Sequence, residues 1–271
     1  LVDPKKHIVF FWSGRSLSWL RYLTIYSFRV LNPEWKISLY LCHTSLVTTW
    51  LDHNRLDFSE YEGEDYLPRL QFLGVDVQQW ELPPEICSAT PPHACDLFEW
   101  QWLSENVGYY ADMDILWVRP MKVPDSDAAI VYGKQFSIGL VWSGVAPNPM
   151  FRDIYQESLR TYTPAVYQSA GVVPIYQLLG HSGPEVDLSI PWFERLREKY
   201  PTVSKLPFPM IHPWDHEQLE AMYDELHTEV PTDCVGIHWY GAAPRSQTFN
   251  QEYGPRTQQD NTLSHFARRV A

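Results

Sequence analysis

Asp112 and Asp114 stand one residue apart in the stretch NVGYYADMDILWVRP, residues 106–120, between a tyrosine pair and a run of strand-forming apolar residues. Strand side chains alternate between faces. Two aspartates at this spacing on a strand therefore point the same way, and together they can hold one divalent cation directly or through water. Such a cation acts electrostatically: it reverses the local sign of an acidic surface and lets a phosphate compound approach. Spacing alone does not decide the matter, because an isolated Asp-x-Asp more often caps a turn or ends a solvated strand. His238, in VGIHWYGAAPRS, poses the same choice between an imidazole ligand and a ring packed against Trp239 and Tyr240.

Composition explains why a local cation would be needed. Lys+Arg 21 against Asp+Glu 33 gives a formal charge of -12 over 271 residues. That field repels nucleic-acid backbones and anionic lipid headgroups, so no nucleic-acid partner is expected. A hydrophobic content of 45%, with 15% aromatic residues, can fill a sizeable α/β core. No apolar run approaches the ~20 residues of a membrane span. Cys42, Cys87, Cys95 and Cys234 form no C-x-x-C pair, which excludes a zinc ribbon or a thioredoxin-type motif; spacing leaves a Cys87–Cys95 disulfide open. The expected compartment is the cytoplasm, with the Golgi lumen as the alternative should an anchor precede Leu1.

The elements that must position these residues can be read from periodicity and punctuation. KKHIVFFWSG gives a short buried strand over residues 8–12 and a turn at Ser13-Gly14. A helix follows, capped by Ser16 or Ser18, with Leu20, Leu23, Phe28 and Leu31 at helical spacing and a stop before Asn32-Pro33. WKISLYLC is a second strand, which makes the opening a parallel β-α-β unit, and GVDVQQWEL is a third. The Pro-rich LPPEICSATPPHAC reads as a loop, and DLFEWQWLSENVG as a helix from Asp96 that Gly108 stops. In YYADMDILWV the first part is a buried strand and the second an edge. Asp-x-Asp then falls where a central strand leaves the sheet, the place where open α/β sheets bind ligands. Further strands are expected at AAIVYGK and SIGLVWSG, and helices at PMFRDIYQESLRTY, WFERLREKY and DHEQLEAMYDEL, the last with Asp215 as N-cap. The last ~25 residues read as a tail or surface wrap. Trp100 and Trp102 are expected in the core, and His212, Trp214, Asp215 and His216 are read as structural because Pro213 breaks a helix through the histidines.

The segment CDLFEWQWLSENVGYYADMDILWVRPM resembles the D-x-x-x-x-x-x-L-x-x-x-G-G-x-Y-x-D-x-D core of the DXD glycosyltransferases: the capsular-polysaccharide and Golgi sugar transferases and the glucosyltransferase domain of large clostridial toxins. The resemblance implies that Asp112 and Asp114 serve metal and diphosphate. Tyr110 matches the tyrosine before that pair, and Asp96 the upstream aspartate that touches donor ribose or sugar. Gly108 matches the second family glycine, and Val107 replaces the first. HIVFFWSG looks like the family's first strand, making Phe11, Trp12 and Ser13 base-binding candidates. VGIHWYGAAPRS is similar to its late His-x-Trp segment, which adds His238 to the metal set, and LPFPMIHPWD to the F-x-P segment before it. One position departs: Glu99 stands where the family carries an arginine that contacts the donor. Either the register slips, or another cation such as Arg15, Lys134 or Arg245 supplies the missing charge, or donor choice differs; Glu99 itself is either solvated or an acceptor-facing catalytic carboxylate.

The resemblance implies a single GT-A domain, Rossmann-like with a mostly parallel central sheet flanked by helices. Residues 1–118 would bind a UDP- or GDP-sugar donor, and residues 119–271 a glycan or other hydroxyl acceptor. The reaction implied is sugar transfer, retaining in configuration and dependent on Mn2+ or Mg2+, with a hexose or pentose moved. A metal-dependent phosphoesterase or nucleotidyltransferase, and a non-catalytic carbohydrate-binding protein, are the rivals.

Overall fold

The order of strands across the sheet decides where the aspartates emerge. A computed structural model describes residues 3–42, 61–86, 89–183 and 185–271. Its strands are β1 His7–Trp12, β2 Lys36–Leu41, β3 Asp76–Gln79, β4 Gly108–Ala111, β5 Ile115–Trp117, β6 Ala128–Tyr132, β7 Phe136–Ser143, β8 Val203–Pro207 and β9 Gly236–His238. Seven of them form one sheet in the order β3-β2-β1-β4-β7-β6-β8, with β4 at its centre. Pairing is parallel from β3 through β4 and between β6 and β8; β7 runs antiparallel to both neighbours. β5 and β9 make a separate antiparallel pair.

The helices are α1 Trp19–Leu31, α2 Pro91–Glu105, α3 Pro149–Thr161, α4 Val173–Leu178, α5 Trp192–Lys199, α6 Leu219–Tyr223, α7 Pro244–Glu252 and α8 Thr262–Val270. They cover both faces of the sheet. Alternation along β1 sends Val9 and Phe11 to a cluster with Phe98, Trp100 and Phe151, while Ile8 and Phe10 join Phe28, Trp35 and Trp117 on the other side. β1 is thus buried on both faces, as a parallel strand between helix layers must be. A third cluster joins Leu20 and Leu23 of α1 to Leu116 and Ile237 of the small sheet and to Leu263 and Phe266 of α8. This is a single α/β domain of the class the sequence led us to expect. Trp100 and Trp102 lie in its core. Among the described residues no helix is long and apolar enough to cross a membrane.

Several local expectations need correction. The prolines at residues 91 and 92 do not exclude helix: Thr90 caps α2, and proline is tolerated in a first turn whose N–H groups lack intrahelical partners. Gly108 is not a helix stop. Asn106 ends α2, with its backbone N–H and its side-chain amide both donating to the Trp102 carbonyl. Gly108 instead opens β4 at φ 141, where a Cβ would lie 2.6 Å from the His7 carbonyl oxygen. The helix expected from Asp215 shrinks to α6, with Gln218 at its N-cap. The C-terminal stretch is no loose tail, since α8 buries Leu263, Phe266 and Ala267. Cys87, and with it the Cys87–Cys95 pairing that spacing left open, lies outside the described residues; Cys42, Cys95 and Cys234 are free thiols.

Candidate functional site

Asp112 and Asp114 lie in the turn between β4 and β5, not on a strand as expected, so alternation is not what aligns them. Hydrogen bonds to its backbone hold each residue of the turn. Asp112 N donates to the Gly139 carbonyl on β7 at 2.9 Å, and Trp239 N donates to the Asp114 carbonyl at 2.9 Å. Thr24 Oγ1 on α1 donates to the Met113 carbonyl at 3.0 Å. Pairing of Ile115 with His238 then brings the imidazole alongside.

Each carboxylate is oriented through one oxygen and presents the other. Tyr110 Oη donates to Asp112 Oδ1 at 2.8 Å, and Gly241 N donates to Asp114 Oδ2 at 2.6 Å. The remaining oxygens face His238: its Nε2 lies 3.1 Å from Asp114 Oδ1 and 3.5 Å from Asp112 Oδ2. Donor atoms of all three residues fall within 4.8 Å of one another. Two carboxylates and one imidazole at this separation are a donor set suited to a hard divalent cation. Burial lowers the pKa of His238, yet the charges of Asp114 and Asp112 more than offset it and lift the value to about 10. Burial likewise raises that of Asp114, and His238, Arg21 and the Gly241 N–H more than reverse the shift, holding the carboxyl well below its usual range. Without metal, a proton on His238 occupies the role of the missing positive charge.

The group opens into a cavity of about 930 Å³, large enough for a nucleotide-sized ligand. Phe11, Trp12 and Ser13 line it where β1 ends, and Asp96 lines it from α2. Tyr110 does not: it is 1% exposed, with its hydroxyl placed 2.8 Å from Cys95 Sγ and bonded to Asp112. Glu99 overturns both of its expected settings. It is 1% exposed and off the cavity wall, with no partner for Oε1. Burial, then the charges of Asp112 and Asp96, push its carboxyl well above the usual pKa. Val107 packs partly buried against the core on the α1 side of the sheet.

Of the three proposed substitute cations only Arg15 lines the cavity. Lys134 is exposed in the turn from β6 to β7, and Arg245 pairs with Asp224. The cation that sequence reading missed is Arg21. It sits in the first turn of α1, lines the cavity, and lies over the rings of Trp12 and Trp239 at 4.5 Å and 5.1 Å. A charge inside the otherwise apolar run WLRYLTIYSF was the available signal. His212 also reaches the cavity, but Nδ1 bonds Tyr240 Oη and Nε2 bonds Ser137 Oγ, so neither ring nitrogen is spare.

No family model matches the chain, and no curated protein matches it in sequence. Solved structures to which it is similar include the galactosyltransferase LgtC in complex with donor and acceptor sugar analogs, at 13% identity over 97% of this chain and 95% of that one, with a TM-score of 0.45. The PaToxG glycosyltransferase follows at 14% identity, 73% and 84% coverage and a TM-score of 0.44. The glycosyltransferase GlyE of Streptococcus pneumoniae TIGR4 stands at 16% identity and a TM-score of 0.37; 75% of this chain aligns to 45% of GlyE. All three are glycosyltransferases.

Proposed function

We propose that this chain is a metal-dependent glycosyltransferase of the GT-A type, which moves a sugar from a UDP- or GDP-sugar to a glycan or other hydroxyl acceptor. The observation that carries this reading is the convergence of Asp112, Asp114 and His238 at the exit of the central strand, inside a cavity that Trp12 and Phe11 flank. Asp112, Asp114 and His238 would hold Mn2+ or Mg2+. The bound cation supplies charge neutralisation to a diphosphate leaving group, worth several kcal/mol as that charge develops.

The chain's own residues supply orientation. Trp12 and Phe11 offer aromatic surface to a nucleobase, and Ser13 a hydroxyl at its edge. Asp96 accepts hydrogen bonds from ribose or sugar hydroxyls. Tyr110 reaches no donor; it fixes the rotamer of Asp112. Residues 1–118 form the donor half in this reading, and the acceptor enters from residues 119–271. The carboxylates on the described cavity wall are Asp96, Asp112 and Asp114. None is left to act as a separate nucleophile once donor and metal engage them. The acceptor oxygen then bonds to the anomeric carbon on the face from which the diphosphate departs, its proton passes to the departing phosphate oxygen, and configuration is retained.

Thermal unfolding with a panel of UDP- and GDP-sugars tests the proposal, because a ligand that binds the native form raises the midpoint by mass action. At least one donor raises Tm in the presence of Mn2+ and not in EDTA. A panel with no metal-dependent shift contradicts it.

A further inference from the structure

Arg21 is a guanidinium held in place with its hydrogen-bonding capacity unspent. Its charge lies against the indole faces of Trp12 and Trp239. Among the described residues its N–H groups make no hydrogen bond, and no carboxylate pairs with it within ion-pair distance. Stacking uses the faces of the guanidinium plane and leaves the edges, where the five N–H donors point, available. A Cβ added to Gly241 would lie 2.8 Å from Arg21 Nη2 and 3.1 Å from Asp114 Oδ2. The arginine and the metal-facing carboxylate therefore border the same point of the cavity.

Charge balance gives that arginine its task. The cavity wall carries Asp96, Asp112 and Asp114, and the Lys or Arg side chains among its described residues are Arg15 and Arg21. Burial, then the charge of Asp112, raises the Asp96 carboxyl well above its usual range, so the standing negative charge is that of Asp112 and Asp114. A divalent cation offsets those two and leaves nothing over for a diphosphate, which brings two or more negative charges of its own. Arg15 is exposed on the loop after β1, whereas Arg21 is pre-positioned on a helix. We infer that Arg21 contacts the diphosphate of the donor and stabilises it as it leaves, the charge that Glu99 cannot supply from α2. This rests on the nucleotide-sugar reading above. It adds that donor recognition in this chain depends on an arginine of α1 in addition to the metal.

Calorimetric binding of UDP, GDP, uridine and Mn2+ to wild type, Arg21→Gln and Arg21→Lys tests it, with unfolding midpoints recorded for all three. Losing a charge-assisted fork costs about 10- to 100-fold. With Mn2+ present, Arg21→Gln is expected to lose that much affinity for UDP or GDP, while uridine and bare Mn2+ bind within about threefold of wild type. Arg21→Lys keeps a point charge without the fork and falls between, which decides the matter should the glutamine variant not fold. Equal nucleoside-diphosphate affinity across the folded variants overturns the inference. So does a loss shared by uridine and Mn2+, which marks Arg21 as merely structural. A wild type that binds neither UDP nor GDP instead removes the nucleotide-sugar reading itself, and the inference with it.

Discussion

His238 Nε2 lies 3.1 Å from Asp114 Oδ1, although one residue ends β9 late in the chain and the other lies in the turn before β5, in the middle of the chain. The β5–β9 pairing makes that contact, and α1 and α8 clamp the pairing through Leu23, Leu116, Ile237 and Leu263. The contact thus rests on the core packed behind it.

Removing a ligand should separate direct ligands from the residue that orients them. Asp114→Asn and His238→Ala are expected to weaken Mn2+ binding at least 100-fold by titration calorimetry. Tyr110→Phe, which leaves Asp112 in place but frees its rotamer, is expected to weaken binding about 10-fold.

The proton on His238 makes metal binding pH-dependent. Burial lowers its pKa, but the two carboxylates lift it from 6.5 to about 10 in the metal-free site. A raised folded value gives stability that is complete below pH 6.5 and is lost as pH rises through 10. The depressed carboxyl of Asp114 describes the same interaction from the acid side, with a contribution present above pH 3.8 and lost as pH falls. Metal-free wild type should therefore lose more Tm between pH 7 and 10 than His238→Gln. Since Mn2+ must displace this proton, its affinity should rise about tenfold per pH unit from 6 to 8, with about one proton released. Calorimetry in buffers of different ionisation enthalpy measures both.

What was legible in the sequence was what local pattern encodes. The β1-α1-β2 opening follows from periodicity and is present in the structure, and of the two capping hydroxyls the sequence offered, Ser16 and Ser18, it is Ser18 that caps α1. The short pairing of Gly236–His238 with Ile115–Trp117 was not legible, because three residues carry no period and their partner lies far along the chain. Resemblance, not pattern, brought His238 to Asp114. The α2 start was hidden by two prolines, and α8 by the polar stretch ahead of it, although Leu263, Phe266 and Ala267 sit at helical spacing. Glu99 is buried and Arg21 reaches the cavity for a tertiary reason. Neighbouring elements decide which charge a cavity sees, and the helix's own pattern offers only the oddity of a charge in a largely apolar run.

Gly241 stands where a side chain would crowd the site. A Cβ there would lie within 3.1 Å of Arg21 Nη2, the Trp239 ring and Asp114 Oδ2 at once. Gly241→Ala is expected to destabilise the fold by about 1–3 kcal/mol and to lower Mn2+ affinity by displacing Asp114. Urea unfolding and metal titration of the same variant read the two effects.

Glu99 is a carboxyl that the fold tolerates rather than uses. Burial, with Asp112 and Asp96 nearby, raises its pKa well above 4.5, so it withdraws stability as pH climbs past that value. Glu99→Gln keeps the shape and removes the titration. The variant should exceed wild type by about 1–3 kcal/mol at pH 8, with the difference shrinking towards pH 4, measured by urea unfolding at each pH.

The most direct test of a metal-dependent sugar transferase is release of nucleoside diphosphate from a panel of UDP- and GDP-sugars, followed for wild type and Asp114→Asn with Mn2+ or with EDTA. The account predicts turnover of at least one donor with Mn2+, and its loss both in EDTA and in the variant. Turnover that persists undiminished in EDTA, or that Asp114→Asn leaves intact, would contradict it.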